Sequence, residues 1–320
     1  SAATSLKPKT VIKAINDYNQ NYSINSHSEN SSPLFKKSRE EEIVFLPSTT
    51  YALNILALSL KCNLQAGDRI CLTHLEHSAN LHPWQALAQK EGVIVDYLPL
   101  NKEFTIDIDK LNKHINKQTK IVSFVQVSNS LGVINPVMEI TKKIKEINPK
   151  CLVIIDACQR SGKKIGPAEK DVELNLPLSQ KFEVGTLPLA EIFGLKAAFE
   201  FLDNFTASEI YEYENNLRHY TLQKLKTIKN LVIYNQNLVS ANIITFNLPP
   251  YHAHDIADYL GKNNIYVRAG NFCCPYLDKL IGTNSALRIS FGIYNDYNDI
   301  DKLIFHLQKI IQNPQVLLPF

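Results

Sequence analysis

No apolar run in this chain approaches the ~20 residues that a helix needs to cross a bilayer, and its first residues show no secretory pattern. Excess charge of one sign is lacking too. The 34 Lys and Arg against 31 Asp and Glu leave a formal net charge of +3, so neither a nucleic-acid surface nor a membrane-binding one is expected. Internal repeats are absent. The six cysteines, Cys62, Cys71, Cys151, Cys158, Cys273 and Cys274, contain no CxxC pair and no spacing typical of zinc ligands. Reduced thiols in a cytoplasmic compartment are therefore expected, or in an organelle if a targeting segment precedes the chain. Cys71 and Cys151 sit in apolar strand-like runs and read as buried thiols. Cys273 and Cys274 stand side by side in a polar loop, shortly after a glycine.

What is present suits a large domain joined to a smaller one: 320 residues, 45 % hydrophobic and 20 % charged, is ordinary for a globular chain of that size. The first half alternates short apolar runs with helical patterns. Strands are expected at Ile43–Leu46, Arg69–Thr73, Ile121–Val127 and Cys151–Ile155. Helices are expected at Tyr51–Leu60, from Pro83 to about Lys90, and from Pro136 through Ile147. Such alternation implies a parallel sheet with helices on both faces. The second half reads as α+β: helices Leu189–Phe205 and Ser208–Ile228, strands Leu231–Tyr234 and Ala241–Phe246, a helix from about His254 to Asn263, strands at Ile265–Arg268 and Leu287–Phe291, and a last amphipathic helix Asp299–Gln312.

Ligands of an open parallel sheet bind beyond the carboxyl ends of its strands, and several polar residues fall there. His77 follows Arg69–Thr73, Asn129 follows Ile121–Val127, Asp156 ends Cys151–Ile155, and Gln159 comes three residues later. Thr49 and Thr50 precede a helix, where free N–H groups and the helix dipole favour a phosphate. Each has a plainer reading as well, since threonine before a helix is usually a cap and aspartate after a strand is often a turn residue. Together they describe a site for a phosphate, a ring and a buried carboxylate.

The same residues carry a resemblance. "FLPSTTYALNILAL", "THLEHSANLHPWQ", "VSNSLGVINP", "VIIDACQ", "KFEVGTLP" and "YVRAGNFCCPYL" resemble, in order, six segments of the class V aminotransferase family. "SAATSLKPKTVIKAINDY" resembles its N-terminal arm, and the nearest group is the cysteine desulfurases of the sulfur-mobilisation type. The resemblance implies an α/β fold of the pyridoxal-phosphate transferase kind (aspartate aminotransferase-like, fold type I). Residues 1–20 would form an arm, 21–205 a large, mostly parallel sheet domain that binds the cofactor, and 206–320 a smaller α+β domain carrying the cysteine loop.

Its implied roles are as follows. His77 stacks on the pyridine ring of pyridoxal 5'-phosphate and serves catalysis. Asp156 pairs with the ring nitrogen and keeps the ring an electron sink. Gln159 bonds the ring oxygen, and Asn129 contacts the same edge of cofactor or substrate. Thr49 and Thr50 hold the phosphate, and Thr186 reaches the phosphate of a neighbouring subunit, so a homodimer is implied. Arg288 grips the carboxylate of the substrate L-cysteine. Cys273, three residues after Gly270, is the nucleophile that takes the sulfur as a persulfide and releases alanine. His254 matches a histidine that binds the zinc of a small sulfur-acceptor scaffold protein in iron–sulfur cluster assembly. A helix-terminal histidine near solvent is the equal alternative.

The family's lysine segment, Ser-x-His-Lys before Gly-Pro, is altered here to "SGKKIGP". Aligning Ser161 places Lys164 at the lysine that forms a Schiff base with the cofactor, with Lys163 in place of the histidine. Ser48 stands where glycine is usual. The stretch from Gln159 to Phe182 is several dozen residues shorter than in the family, and Tyr22–Glu41 is shortened too. Losing central strands would break the sheet, so further residues are expected in the natural chain at these points. A selenocysteine lyase or other class V lyase would share fold and cofactor. A pseudoenzyme that binds a partner without cofactor would keep the fold alone.

Overall fold

The computed structural model describes residues 6–21, 43–159, 182–183 and 187–317. In chain order the elements used below are α1 (Lys9–Asn21), α2 (Thr49–Leu60), β1 (Arg69–Leu72), α3 (His82–Glu91), β2 (Ile94–Tyr97), α4 (Leu111–His114), β3 (Thr119–Val125), α5 (Val137–Ile147) and β4 (Leu152–Asp156). They continue with α6 (Leu189–Leu202), α7 (Ala207–Leu225), β5 (Val232–Ile233), β6 (Ile243–Asn247), α8 (Ala253–Lys262), β7 (Arg268–Gly270), α9 (Leu277–Ile281), β8 (Ala286–Ser290) and α10 (Tyr297–Gln312).

The chain divides into two compact units. One draws on residues 4–52 and 161–211, the other on 53–160 and 212–320. In the first, α1 lies against α6. Gly194 makes the approach possible, since a Cβ there would stand 2.7 Å from Ile15 Cγ1. Tyr18 and Phe193 rings meet beside it, with centroids 4.9 Å apart.

The second unit holds two sheets. β1 to β4 form an all-parallel sheet in the order β2-β1-β3-β4. Its central strands are near-continuous apolar runs, as strands covered on both faces must be. Cys71, Val122 and Phe124 face one layer, with Ile140 and Ile144 of α5. Ile70, Leu72 and Ile121 face the other, with Trp84 and Leu87 of α3. From β1 the chain moves outward to β2, crosses back to β3 and continues outward to β4. The direction of winding reverses between β1 and β3, which makes their carboxyl ends the place for a ligand crevice.

The other sheet is antiparallel, in the order β5-β6-β8-β7. Its core joins Phe246, Leu287 and Ile289 to Ile256 and Leu260 of α8 and to Leu303, Leu307 and Ile310 of α10. Asp296 opens α10 with a reciprocal capping box through Asp299, which satisfies free N–H groups of the first turn. The turn after β3 docks the sheets together. Asn235 Nδ2 and Ser240 Oγ donate to the Leu131 carbonyl at 2.8 and 3.0 Å, and Thr245 Oγ1 donates to the Ser130 carbonyl. Gly132 turns at φ +69°, and a Cβ there would fall 2.2 Å from Ser240 Oγ.

Three local expectations change. Ile43–Leu46 is not a strand. Instead the Phe45 N–H donates to Glu183 Oε1 at 2.7 Å, a side-chain partner that a window of sequence does not reveal. The strand expected at Ile265–Arg268 begins at Arg268, and the Ile265 N–H donates instead to the Leu260 carbonyl in the last turn of α8 at 2.9 Å. β2 was not anticipated, being half-exposed with no alternation of polar and apolar residues.

Candidate functional site

The turn after β1 positions His77. It caps a short helical turn, Ser78–Asn80, and its Nδ1 accepts the Ala79 N–H at 3.1 Å. The proton of the neutral ring is thereby left on Nε2. Half-burial pulls its pKa below the ordinary value. Arg268 and Arg288 act in the same direction, against Asp156.

Beneath His77 lies a buried network that the sequence reading missed. Glu76 is fully buried and accepts three hydrogen bonds: from Thr73 Oγ1 at 2.5 Å, from the Val125 N–H at 3.1 Å and from Asn80 Nδ2 at 2.7 Å. Asn80 Oδ1 accepts in turn from Trp84 Nε1 at 3.0 Å and from Ser123 Oγ at 2.6 Å. One carboxyl group thus ties the end of β1 to the end of β3 at the reversal of winding. Burial pushes its pKa up to about 8, although the three donors pull the other way.

Asn129, in the turn after β3, is buried. Its Nδ2 donates to the Phe272 carbonyl at 2.6 Å, its own carbonyl accepts from Arg288 Nη1 at 2.7 Å, and its Oδ1 has no hydrogen-bond partner. Arg288, central in its sheet on β8, is buried with its guanidinium 5.2 Å from the Phe272 ring centroid and its Nε unpartnered. Among the described residues no carboxylate pairs with it. Burial lowers its pKa to about 10, with help from Arg268, which stands opposite it on β7. It remains a cation at neutral pH. Buried polar atoms without partners are rare, and here a lone acceptor and a lone guanidinium donor lie in one site. Asp156 ends β4, buried, and accepts the Cys158 N–H at 3.1 Å.

The adjacent cysteines differ. Cys274 is fully buried, donates to the His74 carbonyl at 3.6 Å, and has its thiol pushed up to about 11 by burial. Cys273 is half-exposed, and Arg268 Nη2 donates to its Sγ at 3.3 Å. Its loop is not free, as a mobile nucleophile loop would be: the Phe272 and Cys273 carbonyls are both held by the turns after β1 and β3. Arg268 was inside a quoted motif without a role, and Ser78 and Phe272 were not singled out. Local sequence held no sign that they meet across the fold.

The structure thus brings His77, Asn129, Asp156, Arg288 and Cys273 into one unit, as it does Gln159, which is half-buried after β4. Thr49 and Thr50 lie in the other unit as the first residues of α2, both exposed. The capping role falls to Ser48, whose Oγ accepts the Tyr51 N–H at 3.1 Å. His254 lies at the start of α8, with its N–H capped by His252 Nδ1 at 3.4 Å. Its Nε2 is 3.5 Å from where a Cβ on Gly270 would stand. Ser161, Lys163, Lys164 and Thr186 lie outside the described residues. Cys71 and Cys151 are buried as expected, their thiols pushed up to about 12 by burial.

A family model described as aminotransferase class-V matches residues 32–172 and 168–303. A probable cysteine desulfurase of Halalkalibacterium halodurans is 34 % identical, covering 97 % of this chain and 91 % of the relative. A cysteine desulfurase of Serratia proteamaculans is 31 % identical, covering 97 % and 92 %. Among solved structures, the apo cysteine desulfurase from Thermococcus onnurineus NA1 superposes with a TM-score of 0.85 at 26 % identity, covering 97 % of this chain and 93 % of that one. The alignment to the first relative spans 376 residues, whereas 97 % of this 320-residue chain is about 310, so about 66 aligned positions hold no residue of it. The two stretches matched by the family model meet at residues 168–172, within the Gln159–Phe182 stretch that is short for the family.

Proposed function

This chain belongs to the class V aminotransferase family, and from that premise we propose that it is a cysteine desulfurase. In this reading it converts L-cysteine to L-alanine, holds the sulfur as a persulfide on Cys273, and passes it to an acceptor for iron–sulfur cluster assembly. The observation that carries the reading is the half-exposed Cys273 beside Arg268, facing turns that also hold His77 and Asn129. A plain aminotransferase has no use for such a thiol.

The residues present suit pyridoxal 5'-phosphate. A buried carboxylate ends β4 at Asp156, a neutral imidazole stands at His77, and the unpartnered Asn129 Oδ1 awaits a donor. His77, Asn129, Asp156 and Gln159 would hold the ring, and the resemblance alone assigns Thr49, Thr50 and Ser161 to the phosphate and Lys164 to the covalent link. Thr186 would serve a partner subunit's phosphate in a homodimer. When bound, the cofactor supplies the electron sink that loosens bonds at the substrate's α-carbon and its neighbour.

The protein's own groups do the rest. Arg288 offers a buried guanidinium to the substrate carboxylate, an interaction strengthened by its dry surroundings. Cys273 sulfur attacks the substrate sulfur. An S–S bond forms, the substrate C–S bond breaks with its electron pair going to carbon, and that carbon takes a proton to give alanine. Arg268 supplies a cation for the negative charge that sulfur carries as a nucleophile. His254, exposed at the start of α8 beside Gly270, would in this reading meet the zinc of an acceptor protein, with a plain helix-terminal histidine as the equal alternative.

The full chain supplied with pyridoxal phosphate and L-cysteine is expected to release alanine and sulfur in equal amounts, and borohydride reduction is expected to fix one cofactor on the Lys164 peptide. No alanine and no cofactor adduct would sink the reading. Arg288→Lys is expected to raise KM for L-cysteine about a hundredfold, the equivalent of losing a charge-assisted bidentate contact, while kcat changes much less. Initial rates against substrate concentration measure the split.

A further inference from the structure

The cysteine loop holds a backbone conformation that its residues would not choose alone. Phe272 and Cys273 lie consecutively at φ +58° and +56°, a left-handed region that side chains other than glycine seldom occupy. Four hydrogen bonds hold them there. Asn271 Oδ1 accepts the Cys273 N–H at 3.0 Å, and the Phe272 carbonyl accepts Asn129 Nδ2 at 2.6 Å. The Cys273 carbonyl accepts both remaining bonds, from the Ser78 N–H at 2.8 Å and from Ser78 Oγ at 3.0 Å. A carbonyl oxygen has two lone pairs, and one serine occupies both. Beyond Cys273 the chain is anchored separately, by the Cys274 thiol on the His74 carbonyl and by the Tyr276 hydroxyl 2.8 Å from that of Tyr97.

We propose that Ser78 is a positioning residue for the sulfur-transfer step: its twofold grip on the Cys273 carbonyl fixes the nucleophile to the turn that carries His77. This rests on Cys273 being the nucleophile. Because Ser78 follows His77 directly, the turn that presents the imidazole also sets the direction of the thiol. The N–H supplies a donor that any residue except proline would supply. The hydroxyl supplies the second donor at a length that only serine and threonine reach.

Three variants grade the grip. Ser78→Ala removes the hydroxyl and keeps the N–H, Ser78→Pro removes both, and Ser78→Thr keeps both. Proline suits the first position of the turn, and His77 at φ −63° and ψ 147° is in the extended region that a following proline demands. With the full chain and pyridoxal phosphate, kcat for alanine release is expected to fall about tenfold in Ser78→Ala and about a hundredfold in Ser78→Pro, as for a misplaced reacting group. KM for L-cysteine is expected to hold, and Ser78→Thr to restore kcat.

A second readout needs no turnover. Iodoacetamide is expected to modify Cys273 several-fold faster in Ser78→Ala and Ser78→Pro than in the parent, while Cys274, mapped in the same peptide by mass spectrometry, stays unmodified. Parental kcat and parental alkylation in both variants would overturn the proposal, and so would labelling of Cys274 in step with Cys273, which would mean general loosening. A parent chain that releases no alanine would overturn the desulfurase reading instead, and the alkylation comparison would still decide the part played by Ser78.

Discussion

Cys273→Ala abolishes alanine release from L-cysteine, a loss of roughly a thousandfold or more, as for removal of a covalent nucleophile, while Cys274→Ala keeps turnover within a few-fold of the parent. The two thiols are neighbours in sequence and opposites in environment. Cys273 is half-exposed with a guanidinium 3.3 Å from its sulfur. Cys274 is sealed among Phe272, Leu277 and Ala286 with its thiol pushed up to about 11, so it stays protonated at neutral pH and has no path to a substrate. Its removal leaves a small cavity and costs stability of about 1 kcal/mol, which appears in a melt and not in the rate. Alanine and sulfide measured for both variants decide the matter. Release of alanine by Cys273→Ala would end the assignment of the nucleophile. A parent chain that released alanine from L-selenocysteine and not from L-cysteine would be a selenocysteine lyase instead.

Glu76→Ala is expected to cost about 3 kcal/mol or more of stability, because it strands Thr73, Asn80 and the Val125 N–H as buried groups without their acceptor. Glu76→Gln keeps the shape, but its amide nitrogen faces the Asn80 amide, donor against donor, at a cost of about 1–3 kcal/mol. The parent also carries a pH signature. Glu76 binds its proton more tightly in the folded chain, with a pKa of about 8 against the ordinary 4.5. Its contribution to stability is therefore complete below pH 4.5 and is lost as pH rises toward 8, on the order of a few kcal/mol across that window. Glu214, raised to about 7 by burial, acts in the same direction. The imidazoles of His74, His77 and His306 are lowered by burial and take stability away as pH falls below their ordinary 6.5. Melting temperature followed from pH 5 to 9 in parent and Glu76→Gln isolates the carboxyl group. The parent should lose ground on the variant as pH rises, and parallel curves would show that Glu76 does not titrate in this range.

These two residues also mark how far the sequence could be read. His77, Asn129 and Asp156 were legible because each follows an apolar run that could only be a strand, and the carboxyl ends of parallel strands are where such folds bind ligands. Cys273 and Cys274 could be ranked only by resemblance, since what separates them physically is burial. Glu76 was illegible. Glutamate is seldom buried, and its three partners come from the end of β1, the turn after it and the end of β3. The N-cap of α2 was misplaced by two residues, the helix starting at Thr49 and not Tyr51, for a simpler reason: Ser48, Thr49 and Thr50 are all competent caps, and only the backbone shows which one accepts the Tyr51 N–H.

The contacts that close the cysteine loop have a further consequence during synthesis. Ser78 and Cys273 are 195 residues apart in the chain, His74 and Cys274 are 200 apart, and Asn129 and Arg288 are 159 apart. At the ~5–20 residues per second of translation, the turn after β1 waits roughly 10–40 s for the strands that complete it. Closing loops of that length is entropically slow and is repaid only when the distant contacts form. The parallel sheet can settle early, whereas the chemistry has to be among the last things the nascent chain acquires. A ribosome halted before β8 would carry a complete parallel sheet, while the antiparallel sheet would still lack the central strand that joins β6 to β7 and brings Arg288 to the site.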